Sequence, residues 1–250
     1  MKSVLIVIPT YNEKDNITEL LSEVFKSVPQ VNVLIVDDNS PDGTGKIVDD
    51  LVANNTYNDR LFVMHRSGKL GLGTAYIQGF QWGMQRGYEL LFSMDADFSH
   101  DPKYLPEMIA LAENNDLVIG SRYVKGGGTQ NWGFIRRLIS KGGSLYARIV
   151  LLANVHDFTG GFNCYHKNFL ERLNLDTVFS KGYCFQIEMK FRHVLMKAKI
   201  KEMPIIFCDR VNGKSKMSSN IFKEAVINVL RLSLMRGKIK NMMKNGISDD

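Results

Sequence analysis

The stretch Leu90-Leu91-Phe92-Ser93-Met94-Asp95-Ala96-Asp97 decides the fold and points toward the chemistry. Its apolar start predicts a buried strand over residues 89–94. Side chains on a strand repeat every second residue, so Asp95 and Asp97 leave one face, about 7 Å apart along the chain. Two hard oxygen ligands at a strand mouth suit Mg²⁺ or Mn²⁺, ions that commonly hold substrate phosphates. The pair therefore suggests a metal-bridged pyrophosphate, such as that of a nucleotide-sugar. The competing reading is a solvated turn that opens with two acids.

Outward from this strand, apolar runs and helical periodicities alternate. Upstream, Val4–Ile8 reads as a strand. Residues 13–26 carry Ile17, Leu20, Leu21, Val24 and Phe25 at helical spacing. A second strand over 31–36 ends in Asp37-Asp38-Asn39-Ser40. The turn Pro41-Asp42-Gly43 leads to a helix over 44–53, then a strand over 61–64. Gly71-Leu72-Gly73 precedes a helix over 74–86. Downstream, 102–114 reads as a helix and 117–120 as a fifth strand. Five strand–helix alternations predict an α/β domain with a mostly parallel, Rossmann-like sheet covered on both faces. Ligands in such sheets bind beyond the carboxyl ends of the strands. Those ends hold Tyr11-Asn12-Glu13, Asp37-Asp38, the Asp95/Asp97 pair and Arg122.

The second half is less regular. Gly126-Gly127-Gly128 reads as a hinge, 134–155 as a helix carrying Arg136, Arg137, Lys141 and Arg148, 185–196 as a helix and 205–208 as a strand. A basic amphipathic helix is expected over 221–243. With no repeat and no Pro/Ser-rich linker, a domain over 1–217 with a helical extension over 218–250 is the expected organisation.

The chain has 250 residues, 44% hydrophobic and 23% charged, enough for one large core. Its formal charge of +6 favours an anionic partner, but no nucleic-acid motif is present, and nucleic acid is not expected as a partner. Cys164, Cys184 and Cys208 are odd in number and lack Cys-x-x-Cys spacing, which reads as reduced thiols in a cytoplasmic protein. The apolar run before Pro9 is too short for a signal peptide. No segment reaches the ~18 apolar residues of a membrane span, so any membrane attachment is expected to be peripheral.

Seven ordered motifs resemble those of the dolichol-phosphate mannosyltransferases, the polyprenyl-phosphate branch of the inverting glycosyltransferases with a GT-A fold. They are Pro-Thr-Tyr-Asn-Glu (9–13), Val-Asp-Asp-Asn-Ser-Pro-Asp-Gly-Thr (36–44), Gly-Leu-Gly-Thr-Ala-Tyr (71–76), Met-Asp-Ala-Asp-Phe-Ser-His-Asp-Pro (94–102), Gly-Ser-Arg-Tyr (120–123), Lys-Gly-Tyr-Cys-Phe-Gln-Ile-Glu-Met (181–189) and Asp-Arg-Val-Asn-Gly-Lys-Ser-Lys-Met (209–217). The resemblance implies transfer of mannose from GDP-mannose to a polyprenyl phosphate, with a divalent cation and inversion at the anomeric carbon. It implies that Pro9, Tyr11, Glu13, Val36 and Asp38 line the nucleotide pocket, and that Asp95 and the Ala96 backbone touch the donor. Asp97 becomes the main metal ligand beside Asp95. Some relatives have a Gln as a further ligand where this chain has Ser99, a weaker one.

Basic positions matching the family are Arg122, Arg210 and Lys216 toward the donor, and Arg136 with Ser140 toward the lipid phosphate. Arginine forks suit phosphate oxygens. A phosphate acceptor is already nucleophilic near neutral pH, so no strong general base is required.

Several residues carry plainer readings. Glu13 suits the first turn of its helix, and Gly71 and Gly73 suit a simple turn. His65 and His100 read as surface or supporting groups, Cys164 and Cys184 as packing residues. His156 and Asp157 are placed loosely on the acceptor side. The segment 222–244 is expected either at the bilayer interface or packed on the catalytic domain, and a separate membrane subunit stays open as a partner. Rival readings are a related transferase using UDP-glucose or another acceptor, and a catalytically silent nucleotide-sugar binding module. A phosphatase using Asp-x-Asp is set aside, because there the pair follows the first strand.

Overall fold

The computed structural model of the chain describes residues 2–180, 182, 184–209 and 219–244. Nine strands and nine α-helices occur among them. In chain order they are β1 (Val4–Thr10), α1 (Ile17–Ser27), β2 (Asn32–Asp37), α2 (Thr44–Ala53), β3 (Leu61–His65), α3 (Leu72–Gln85) and β4 (Leu90–Ser93). Then follow α4 (Leu105–Ala112), β5 (Leu117–Ser121), β6 (Gly128–Gln130), α5 (Phe134–Val150), β7 (Asn163–His166) and α6 (Lys167–Arg172). Last come α7 (Cys184–Leu195), β8 (Ile200–Pro204), β9 (Ile206–Cys208), α8 (Ser219–Leu234) and α9 (Arg236–Lys244).

The main sheet has seven strands in the order β3-β2-β1-β4-β7-β5-β8. All its pairings are parallel except those of β7, which runs against both β4 and β5. Alternation along β1 divides the core. Val4, Ile6 and Ile8 face one side with Leu20, Leu21 and Val24 of α1 and Met108 of α4. Leu5 and Val7 face the other with Tyr76 and Phe80 of α3 and Phe185 of α7. Helix α3 approaches β1 closely because two positions one turn apart are glycine. A Cβ on Gly79 would lie 2.4 Å from Val7 Cγ1, and one on Gly83 would lie 2.6 Å from Leu5 Cδ2.

The structure departs from the sequence reading in several places. Helix α1 begins at Ile17, four residues after Glu13, because the Glu13 carbonyl accepts from the Asn16 and Ile17 amides and forms a turn first. The expected helix over 102–114 divides into a 3₁₀ turn, Pro102–Tyr104, and α4. The expected hinge at Gly126-Gly127-Gly128 leads into β6, which pairs in parallel with β9 to make a separate two-stranded sheet. A Cβ on Gly127 would lie 2.5 Å from the Ser121 carbonyl, so close backbone packing accounts for a glycine there.

Strands β7 and β8 were absent from the sequence reading. The helix expected over 221–243 is two helices, α8 and α9, separated at Met235. Val229, Leu232, Ile239 and Met243 of these helices are buried in the core that also holds α7, which is the packed alternative for this segment. No helix among the described residues is long and apolar enough to cross a membrane. All three cysteines are free thiols, with Cys164 and Cys184 buried.

Candidate active site

The loops beyond β1, β2 and β4 each carry a residue in the left-handed region. Asn12 has φ of 61°, Asn39 of 56° and Phe98 of 60°. Asparagine tolerates this conformation, whereas a bulky side chain such as Phe pays of order 1–3 kcal/mol. The kink at Phe98 turns the chain back on itself. The Ser99 amide (3.1 Å) and hydroxyl (2.5 Å) thereby both donate to Asp97 Oδ1. Ser99, expected as a weak metal ligand, thus has its hydroxyl engaged in holding Asp97.

Asp95 is braced separately. The Tyr76 hydroxyl donates to its Oδ1 at 2.9 Å, and its backbone amide donates to His100 Nδ1 at 2.9 Å. Burial pushes the Tyr76 phenol well above its usual range, and the Asp95 carboxylate adds to this, so the phenol remains a donor. Burial lowers the His100 imidazole, against the pull of Asp95 and Asp97.

Among the described residues no group of three or more His, Cys, Asp or Glu is arranged to hold a metal. Asp95 and Asp97, which both line one cavity, are the two carboxylates that could offer oxygen donors here. This fits a hard cation that keeps waters and takes its remaining ligands from substrate phosphates.

Arg122, at the carboxyl end of β5, is 6% exposed and is held along one edge of its guanidinium. Its Nε and Nη2 donate to the two oxygens of Asp157 at 2.7 and 2.6 Å, and Nη2 also reaches Thr159 Oγ1 at 2.8 Å. Burial alone would raise the Asp157 carboxyl, but Arg122 holds it down at about 2. Glu202 of β8 sets Asp157 in place, accepting from the Asp157 amide (3.0 Å), the His156 amide (2.8 Å) and the Ser121 hydroxyl (2.8 Å). Beneath the same loop, fully buried Lys190 of α7 donates to the carbonyls of Phe158 and Gly160. Burial brings its ammonium down to about 7, with Asp157 opposing.

Arg136 and Ser140 lie one turn apart on α5. Arg136 Nη1 donates to both oxygens of Asp209 at 2.7 Å, and its guanidinium lies 4.2 Å from the Trp132 ring. Ser140 accepts from the Tyr123 hydroxyl at 2.7 Å.

These groups meet in one cavity of about 470 Å³. Asp95, Asp97, Ser99, Arg122, Arg136 and Ser140 all line it. Besides His100, Thr159 and Gln186, its remaining wall is largely apolar, with Leu138, Ile139 and Tyr146 of α5, Ile187 of α7, and Val226 and Val229 of α8. The expected nucleotide residues lie at neighbouring strand ends. Asp38 is 7% exposed and bound by Arg66 Nη1 at 2.5 Å; burial raises its carboxyl while Arg66 pulls the other way. Tyr11 carries the Lys69 ammonium 4.2 Å from its ring centre, and Glu13 accepts from Asn16 Nδ2. Pro9 is half-buried within β1. Val36 and Ala96 have their side chains in the core, which leaves their backbone as the part available to a ligand. Arg210 and Lys216 lie outside the described residues.

The supporting roles of Tyr76, Arg66, Lys190 and Glu202 escaped the sequence reading. Only Tyr76 had a signal, as the last residue of the 71–76 motif. His65 is exposed and paired with Asp49, away from the cavity.

Comparison with known proteins places the chain among glycosyltransferases. The chain is 44% identical over 236 residues to polyprenol monophosphomannose synthase of Mycolicibacterium smegmatis, covering 94% of this chain and 88% of the relative. It is 47% identical over 231 residues to undecaprenyl-phosphate mannosyltransferase of Micrococcus luteus, covering 92% and 94% respectively. Solved structures with the same fold include glucosyl-3-phosphoglycerate synthase of Mycobacterium tuberculosis with Mn²⁺ and UDP-glucose (TM-score 0.64, 17% identity, 94% of this chain and 79% of that one). Another is a mannosyltransferase of Pyrobaculum calidifontis with GDP-Man and Mn²⁺ (TM-score 0.58, 16% identity, 97% and 73%). The model of glycosyl transferase family 2 matches residues 5–173. With a GT-A sheet, an acid pair at the end of β4 and these relatives, the chain belongs to glycosyl transferase family 2 and is a glycosyltransferase.

Proposed function

We propose that this enzyme transfers mannose from GDP-mannose to the phosphate of a polyprenyl lipid, with inversion at the anomeric carbon and dependence on Mg²⁺ or Mn²⁺. The observation that carries the reading is the composition of the cavity. The acid pair, Arg136 and Ser140 line one and the same cavity, and the residues that α5 and α8 add to its wall are largely apolar. An anionic head on an apolar tail fits such a space.

Asp97 and Asp95 would hold the cation, which when bound supplies Lewis-acid charge that offsets the departing diphosphate. Ser99 and Tyr76 keep the two carboxylates turned toward the cavity. Pro9, Tyr11, Glu13, Asp38 and the backbone of Val36 and Ala96 hold the nucleotide end of the donor, with Arg210 and Lys216 as further cations. Arg122, locked by Asp157, presents a fixed positive field rather than a mobile fork. Fixed charge of this kind stabilises developing anions without reorganisation. Arg136 receives the acceptor phosphate, and Ser140 aids it.

The reaction takes place at the cytoplasmic face of a membrane. Phe134, Ile135, Leu138, Leu145 and Ile149 of α5 are exposed, as is Leu152 just beyond it, and Ile227 and Leu234 of α8 are exposed nearby. Arg137 and Lys141 are exposed among them. An apolar helix face with basic neighbours suits an anionic bilayer surface.

The test is to incubate the enzyme with Mn²⁺, a short polyprenyl phosphate and, in parallel, GDP-mannose, UDP-glucose and UDP-N-acetylglucosamine. A mannolipid of inverted configuration from GDP-mannose alone is expected. Product from a UDP-sugar instead, or none, overturns the reading. Flotation with anionic vesicles tests the placement: sedimentation without vesicles bound points to a protein anchor instead.

A further inference from the structure

His100 sits in the loop after β4 with its ring 1% exposed. Its Nδ1 accepts the Asp95 amide at 2.9 Å. A neutral imidazole that accepts at Nδ1 carries its proton on Nε2, and Nε2 lies 3.9 Å from Asp95 Oδ2. That distance is beyond a hydrogen bond, and it places Nε2 beside the carboxylate oxygen other than the one Tyr76 donates to. The ring itself is pinned. Phe162 stacks on it with centroids 5.0 Å apart and planes 12° apart, and Phe207 meets it edge-on at 5.6 Å. Gly161 closes the remaining side, where a Cβ would lie 3.1 Å from His100 Cε1.

We propose that His100 is a positioning residue that fixes the backbone and carboxylate of Asp95, and through them the geometry with which the acid pair takes a cation–nucleotide complex. This rests on the reading of Asp95 and Asp97 as the cation site. The plain alternative is that the ring merely fills an aromatic gap. The two roles separate because different substitutions preserve different parts. His100→Phe keeps the stacking and removes the acceptor. His100→Asn keeps an oxygen where Nδ1 stood and removes the stacking.

The experiment measures the affinity of each variant for Mn²⁺·GDP and Mn²⁺·UDP by calorimetry, beside its melting temperature. Loss of supporting groups around metal ligands typically costs about 10–100-fold in metal affinity, so His100→Phe should weaken the better-bound nucleotide by about that factor. His100→Asn should melt earlier yet bind within about threefold of wild type, on the same grounds. Equal binding by wild type and His100→Phe overturns the proposal, as does His100→Asn binding as weakly as His100→Phe. Should His100→Phe not fold, His100→Gln replaces it, its amide reaching the Nε2 position while the Asp95 amide loses its acceptor. A wild type that binds neither Mn²⁺ complex overturns the underlying reading of the acid pair, and His100's role falls with it.

Discussion

Asp157 grips Arg122 with both carboxylate oxygens, at 2.7 Å from Nε and 2.6 Å from Nη2, and also accepts the Arg122 backbone amide at 2.9 Å. Both side chains are buried, so neither charge has water to fall back on. Removing one partner of such a pair leaves the other uncompensated, which costs roughly 3–5 kcal/mol. Asp157→Asn should lose about that much stability in urea denaturation. Because the folded carboxyl titrates at about 2, below the ordinary 3.8, its contribution is whole above pH ~4 and is lost as the pH falls toward ~2. The gap between wild type and variant should therefore narrow across that window; a gap independent of pH would contradict the pairing.

Asp97→Ala should reduce transfer at least about a hundredfold, since a lost cation forfeits several kcal/mol of charge stabilisation. A turnover assay with added Mn²⁺ checks this, with circular dichroism confirming the fold. Near-normal turnover would remove Asp97 from the mechanism.

Arg136→Ala should raise the acceptor KM about 10–100-fold, the worth of a hydrogen bond to a charged group, and leave the donor KM unchanged. Asp209→Asn removes the carboxylate that now holds Arg136 and should leave the acceptor KM unchanged or lower it. Initial rates at varied lipid and donor concentrations distinguish these outcomes.

Gly79→Ala should destabilise the fold by about 1–3 kcal/mol through overpacking against Val7, although alanine is the better helix former by ~1 kcal/mol. Combining it with Val7→Ala should recover part of that loss. Additive losses in the double-mutant cycle would show that the two positions do not touch.

Ile149→Glu with Leu145→Glu, on the exposed face of α5, should abolish flotation with anionic vesicles that lack polyprenyl phosphate. The melting temperature should be unaffected, since both side chains already face solvent. Undiminished flotation would place the membrane contact elsewhere.

The first half of the fold was legible because each buried strand is a short β-branched run and each helix shows a clean apolar stripe. α2 matched residue for residue. The misses have physical causes. Strand β7 is only Asn-Cys-Tyr-His, with polar residues at both ends, and nothing local distinguishes an antiparallel insertion from a loop. Strand β8, Ile-Lys-Glu-Met-Pro, sits at the sheet edge with one side to solvent, so it lacks the apolar run of its neighbours. That the acid pair follows a buried strand, and that Arg136 and Ser140 share a helix, was legible from residue type and spacing. Their supports were not: Asp157 reaches Arg122 across 35 positions, and Glu202 reaches His156 across 46. Such pairings exist only once the sheet has formed.

The reversed strand β7 also has a consequence for biogenesis. As the chain leaves the ribosome, β1 to β4 can align from neighbouring segments, but β4 keeps a bare edge until residue 166 has been made and β7 docks beside it. Unpaired edges recruit stray strands. The nascent enzyme thus carries an adhesive seam along the very strand that leads to its acids, and chaperone dependence should fall once β7 can dock, a point that ribosome-stalled truncations before and after it would reveal.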